Sequence, residues 1–390
     1  MERKIKMTQK LFDDGELFEF EATVLSCEEG KKCFQVTLDK TAFFPEGGGQ
    51  AGDVGTLADA KVTDTQEKGG IVYHKTDKPL EVGSKVTGKI DENIRLRRMQ
   101  NHSGEHLLMG FIHGKYGYEN VGFHLGKDEV TLDLNGVISY DELLECERQA
   151  NEAIAKDVKI SISYPDDKTL SALEYRSKLE NMENVRIVTI EGIDVCTCCA
   201  PHLSSTGKIG VVKVLTCESY KGGTRVHILC GLDAVAELEK KQAIVKELQK
   251  LLSAKPDKII DFVKKLSDEN LDLKKKLADI ANAQAESIIA SLKNESRKSF
   301  CVFTDGLDSG ALRRIANEGV KLTDGIFGAF NKAADGYSYI IASEKVALRA
   351  IAKDINAALG GKGGGSDAMI QGTVTADEQT ISSFFEGFEG

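Results

Sequence analysis

ENIRLRRMQNHSGEHLLMGFIHGKY, residues 92–116, is the stretch on which the fold turns. Its apolar residues stand at Ile94, Leu96, Met99, Leu107, Leu108, Phe111 and Ile112, the spacing of a helix with a buried face. Gly114 and Gly117 close the run. Two histidines, His102 and His106, lie four apart within it, so both rings leave the same face one turn apart.

Before this helix the pattern is that of strands. FEFEATVLSC, KCFQVTLD, AKVTDTQ, IVYHKT and SKVTGKI are β-rich runs separated by glycine- and lysine-rich turns, which predicts a small closed or half-closed β-barrel over 1–91. After it, VGFHLGKDEVTLDL reads as a strand pair and SYDELLECERQANEAIAKD as a helix with a capping box at Ser139 and Glu142. ISISYP, VRIVTI, GVVKVLTCESY and TRVHILC are strands again, so 92–231 is an α+β block. Residues 232–298 carry a single proline, Pro256, and no glycine, and read as two long helices broken there. In the second, Ile259, Val263, Leu266, Asn270, Leu273, Leu277, Ile280 and Gln284 recur at alternating spacings of four and three, a heptad seam. Strand and helix alternate from 299 to 374, a small α/β domain within 299–390; the acidic, aromatic tail from 375 is left unassigned. The whole is a multidomain α+β protein.

Composition bounds the function. With 51 basic against 61 acidic residues the net charge is −10, so nucleic acid is not attracted by bulk charge and needs a local face. No run of 18 apolar residues occurs and no apolar core follows the charged start, which excludes a membrane span and points to the cytoplasm. Nine cysteines without a secretory signal suggest thiols in a reducing compartment, as metal ligands or core residues.

The second candidate pair is Cys198 and His202 in CTCCAPH, again four apart and about ninety residues beyond the first. Together the pairs make a His2CysHis set whose mixture of imidazole and thiolate suits zinc better than the oxygen-loving cations. Cys196 and Cys199 are alternative ligands. Glu105 is not in the position of the HExxH glutamate, so that protease motif is absent. TAFFPEGGGQAGD, 41–53, has three glycines that permit close backbone approach or positive φ, or that make a turn between barrel strands. GGKGGGSDA, 360–368, reads as a flexible loop or as a backbone-lined anion site with Lys362. Neither glycine stretch matches a nucleotide-binding fingerprint.

HSGEHLL, then CCAPH, with TAFFPEGGGQAGD upstream, resembles the editing domain of alanyl-tRNA synthetase and its freestanding trans-editing relatives. GGKGGGSDAMIQG behind a long helical stretch is similar to the DHH-associated domain at the synthetase's end. By this resemblance 92–231 is a zinc-containing editing domain and 299–390 is DHH-associated-like. The metal set is His102, His106, Cys198 and His202; Thr41 matches the family's threonine and contacts a serine hydroxyl, and Gln50 lines the pocket. Two departures stand out: Cys198-Cys199-Ala200-Pro201-His202 replaces the usual Cys-Gly-Gly-Thr-His, and Ser366 replaces an arginine-containing continuation.

The implied activity is zinc-dependent hydrolysis of the ester in tRNA(Ala) mischarged with serine or glycine. A pocket sized for alanine rejects such near neighbours by only roughly 10²-fold, so a second, hydrolytic site raises accuracy. The alternative is a zinc-stabilised RNA-binding protein without hydrolysis; a nuclease lacks its Asp-His-His motif here. Four protein ligands fill a tetrahedral shell whereas a catalytic zinc keeps a position open, so a catalytic and an ordering role both stay open. The seam is covered either by the helix before Pro256 (Ala234 to Ser253), as a hairpin within one chain, or by a second copy; Asn270 at an a-type position favours the homodimer through the C-terminal half.

Overall fold

The computed structural model describes residues 7–126, 129–177, 185–292 and 297–388. The chain forms two compact units, Met1–Val245 and Lys246–Gly390.

In the first unit a two-residue strand, β1 (Gln9–Lys10), runs parallel to β4 (Lys40–Thr41). Around them β2 (Glu19–Glu29), β3 (Phe34–Leu38), β5 (Gly55–Leu57), β6 (Ala60–Lys68), β7 (Ile71–Thr76) and β8 (Lys85–Ile90) close a barrel in the order β2-β3-β7-β6-β5-β8. The expected barrel is thus a closed one. The strand absent from the sequence reading is β5, whose three residues are too few for alternation to be seen. Inward positions alternate along β7, where Val72, His74 and Thr76 are buried, and the interior is filled by Phe20, Val24, Leu38, Phe43 and Val62.

Asp91 caps α1 (Glu92–Tyr116) by accepting from the Ile94 N–H, and Gly117 ends it at φ 69°. The helix is buried further round than a one-sided pattern predicts: Gln100 to Gly110 are all buried. Glycine makes that possible, since a Cβ at Gly104 would meet Cys230 Sγ and one at Gly110 would lie 2.9 Å from the Ile193 carbonyl. Next come β9 (Asn120–Leu125), β10 (Val130–Leu134), α2 (Tyr140–Ala155), β11 (Ile160–Ser163), α3 (Asp167–Ala172), β12 (Ile187–Ile190), β13 (Asp194–Thr197), β14 (Val212–Tyr220), β15 (Gly223–Cys230) and α4 (Gly231–Leu252). One sheet has the order β14-β15-β10-β9 and a second β11-β12-β13, all antiparallel. The capping box at Ser139 and Glu142 is formed. Met99, Leu107, Leu108 and Ile112 of α1 pack with Leu132, Val214, Val226 and Ile228 of the larger sheet.

In the second unit a 3-10 turn at Pro256–Lys258 precedes α5 (Ile259–Leu292). Then follow β16 (Phe300–Thr304), α6 (Ser309–Gly319), β17 (Phe327–Ala333), β18 (Gly336–Ala342), α7 (Leu348–Ala358), β19 (Gly361–Gly365), β20 (Met369–Val374) and α8 (Glu378–Glu386). The sheet order is β16-β17-β18-β20-β19, with only β16 and β17 parallel. This unit corrects one reading of the sequence and gives a structure to a segment left unassigned. The glycine stretch 360–368 is not a flexible loop: Gly361–Gly365 form edge strand β19, where a Cβ at Gly363 would collide with the Gln371 carbonyl. The acidic tail is a helix, capped by Asp377 and buried through Ile381 and Phe385. No helix among the described residues is long and apolar enough to cross a membrane.

Candidate metal centre and cleft

Helix α1 supplies two of the four predicted ligands, and the segment leaving β13 supplies the others. Because Gln100 to Gly110 of α1 are all buried, their polar side chains must be paired, and three of the pairings fix imidazoles. His102 Nδ1 lies 3.0 Å from Gln50 Oε1, His202 Nδ1 lies 3.1 Å from Ser103 Oγ, and His106 Nδ1 lies 2.8 Å from Cys196 Sγ and 3.5 Å from Asp194 Oδ2. Each ring thereby has its Nδ1 occupied and its Nε2 left over. An outer partner that fixes the tautomer in this way is what metal-bound histidines ordinarily have.

The remaining atoms converge. Cys198 Sγ is 3.5 Å from His102 Nε2 and 3.3 Å from His202 Nε2, and all four residues offer ligand atoms within 4.8 Å of one another. A tetrahedral zinc shell with bonds of about 2.0–2.3 Å has edges of about 3.3–3.8 Å, so the donor set fits the ion in type and spacing. Electrostatics agree for two members. Burial raises the Cys198 thiol, but His102 and His202 outweigh it and hold it well below its ordinary value, while burial pushes His202 down to about 3. A thiolate and a neutral imidazole are the metal-binding forms. His106 differs: burial opposes its proton, yet Cys196 and Asp194 hold it well above the ordinary value, so metal binding there must displace a proton.

Cys196 forms a second potential group with His106 and Asp194 instead of joining the four, and Cys199 is exposed beside Gly48. Asp194 is in turn held bidentate by Arg176, at 2.8 Å for both contacts.

The cluster forms one wall of a cleft of about 730 Å³, lined also by Phe12, Gly48, Gly49, Glu105, Phe123 and Arg186. The TAFFPEGGGQAGD stretch links β4 to β5 and borders this cleft. Gly48 and Gly49 adopt φ of 60° and 81°, and a Cβ on Gly49 would lie 2.5 Å from the Phe123 carbonyl. Gln50 is 1% exposed, and its Nε2 is buried without a partner among the described residues. Thr41 is placed differently. It is buried beside His74, whose Nδ1–H donates to the Val36 carbonyl at 3.1 Å, so that His74 Nε2 accepts the Thr41 hydroxyl at 2.8 Å. Thr41 is not among the cleft-lining residues.

Sequence reasoning missed several members of the site. Asp194 stands two before Cys196, itself weighed as a ligand, on the same face of an extended segment, a signal that was legible. Ser103, Asn120 and Arg176 carried none.

The first unit thus joins a barrel to an α+β block, with the His3Cys cluster at the wall of a cleft. Residues 5–94 match the family described as tRNA synthetases class II (A), and residues 185–227 match the threonyl and alanyl tRNA synthetase second additional domain. The chain belongs to the alanyl-tRNA synthetase-related family of editing proteins. It is 28% identical to the alanyl-tRNA editing protein AlaX-L of Pyrococcus horikoshii, over 95% of each chain. It is 30% identical to the bovine alanyl-tRNA editing protein Aarsd1, over 70% of this chain and 66% of that one. Alanine–tRNA ligase of Pyrococcus abyssi is 30% identical over 93% of this chain, which spans only 41% of the ligase.

Proposed function

We propose that the chain is a zinc-dependent deacylase that acts in trans on tRNA(Ala) mischarged with serine or glycine. The observation that supports it most is the convergence of three Nε2 atoms and one thiolate at the wall of a cleft, in a chain that aligns end to end with an editing protein. The reaction adds water across the ester: the carbonyl carbon gains a hydroxyl, the C–O bond to the ribose breaks, and the proton goes to the terminal ribose oxygen. Zinc, when bound, supplies charge that orders the cleft and polarises an oxygen near it. The protein's own part is to hold the terminal adenosine and its acyl group against this wall. Gln50 fixes the His102 ring and presents its spare amide donor.

Purified protein is expected to deacylate Ser-tRNA(Ala) and Gly-tRNA(Ala) well above their spontaneous rates and to spare Ala-tRNA(Ala). Equal rates on all three, or none, reject the reading; tight tRNA binding without hydrolysis favours the RNA-binding alternative. In the same assay Thr41→Val tests the role taken from the resemblance. A narrowed Ser/Ala rate ratio assigns Thr41 the serine hydroxyl, while an unchanged ratio leaves it to the barrel.

The homodimer is proposed on the exposed face of α5, where Val263, Leu266, Leu273, Leu277 and Ile280 are all at least 47% exposed. A seam of this kind is satisfied by a second helix, and Asn270 favours a paired register. Light scattering on the full chain is expected to give twice the 42.4 kDa chain mass. A monomer rejects the dimer.

A further inference from the structure

Glu105 is a buried carboxylate with no place in the four-ligand set. It sits on α1 beside the cluster and is 4% exposed. Its Oε1 accepts from Asn120 Nδ2, and both residues line the cleft. Its Oε2 receives no hydrogen bond among the described residues; the nearest charged group is His106 Nε2, 3.8 Å away. The His106 ring is too far for a hydrogen bond and belongs to the metal set, so Oε2 opens to the cleft as a carboxylate oxygen without a hydrogen-bond donor, a place a ligand's charged donor can fill.

The cleft's lysine and arginines already have carboxylate partners, Lys10 pairing with Glu67 at 2.8 Å. Arg176 is paired with Asp194, and Arg186 with Asp13 at 2.7 Å and the Cys198 carbonyl at 2.6 Å, its Nη2 alone having no partner among the described residues. Of the other lining carboxylates, Glu119 is a rim group 3.1 Å from His113. Among the described residues Glu105 is therefore the point at which the inner cleft offers a ligand a carboxylate oxygen without a hydrogen-bond donor.

We propose that Glu105, held by Asn120, binds the α-ammonium of the aminoacyl group. This rests on the deacylase reading and adds to it the anchor for the amino end of the substrate. An α-amino group has an ordinary pKa of about 7.7–8.0, so it is largely charged at neutral pH and presents the charged donor this oxygen lacks. A carboxylate beside the cluster also fixes which way the acyl group enters, with its ammonium toward Asn120 and its carbonyl toward the metal wall.

The test compares Ser-tRNA(Ala) with its deaminated analogue, in which a hydroxyl replaces the ammonium at nearly the same size. Rates on both, each divided by its spontaneous hydrolysis, are measured for the zinc-loaded wild type, Glu105→Gln and Glu105→Asp. A hydrogen bond to a charged group is worth about ten- to a hundredfold. The wild type is expected to prefer the ammonium substrate by that factor. Glu105→Gln keeps an acceptor for Asn120 and should bring the preference close to one at unchanged zinc content, with partial recovery in Glu105→Asp. A preference that survives in Glu105→Gln, or equal slowing of both substrates, overturns the proposal while leaving the deacylase in place. A wild type inactive on both substrates overturns the deacylase reading and this proposal with it.

Discussion

The double variant His102→Ala/Cys198→Ala is expected to be isolated without zinc, where the wild type carries about one ion per chain, and to deacylate no faster than solvent. The size of the effect follows from how much of the shell is removed. Each of the two residues faces the centre of the cluster, and Cys198 Sγ is within 3.5 Å of both His102 and His202, so the variant keeps two imidazoles that no longer make a shell. Two-ligand sites do not compete with buffer for zinc, whereas structural four-ligand sites bind with apparent energies of about 10–16 kcal/mol. Gln50→Ala should show the graded version. It removes the acceptor that fixes the His102 tautomer but none of the four ligands, and loss of such an outer partner typically costs about 10–100-fold in metal affinity or activity. Elemental analysis after dialysis, read beside the deacylation rate, checks both. Zinc retained at wild-type level in the double variant moves the metal to the Asp194–Cys196 group and overturns the assignment.

How far these features could be read beforehand depends on whether they are local. The change of period at residue 92, the capping box at Ser139 and the paired four-residue spacings all follow from neighbours along the chain, and each appears where the pattern put it. What escaped the reading is what depends on a partner distant in sequence. Gln50 and His102 are 52 positions apart, Ser103 and His202 are 99 apart, and nothing in either segment signals the other. Thr41 depends on a distant partner too: its role is taken from the resemblance, while its hydroxyl contact with His74, brought in by strand β7, is signalled by neither segment. The Gly361–Gly365 strand misled for a further reason. Glycine has low strand propensity, but here the approach of β20 leaves no room for a Cβ, so packing overrides propensity.

The largest effect on folding is expected at Arg95, which no motif announces. It is the largest of the completely buried side chains, and it ties three segments to one another. Nη1 donates to the Gly15 carbonyl at 3.0 Å and Nη2 to the Ala42 carbonyl at 2.7 Å; Nε donates to Asp53 Oδ2 at 2.9 Å, and Nη2 also pairs with Asp53. Asp53 in turn accepts from the Phe44 N–H at 2.7 Å. Ala42 and Asp53 flank the glycine turn, so the guanidinium clips both ends of the segment carrying Gln50 to the first turn of α1, one helix with His102. Arg95→Met fits the space but strands the Asp53 carboxylate, 1% exposed, with Arg98 Nη1 at 3.5 Å as its remaining cation. Breaking a buried pair from one side costs about 3–5 kcal/mol. For a unit of this size that lowers Tm by roughly 6–20 °C. The double variant Arg95→Met/Asp53→Leu removes the stranded charge and should regain part of the loss, though not all, because the Phe44 N–H then has no acceptor. Calorimetry on the three proteins decides. If Arg95→Met unfolds like the wild type, the pair is not what holds the turn; if it is destabilised and its zinc content also falls with every ligand intact, the turn and the metal site form one mechanical element.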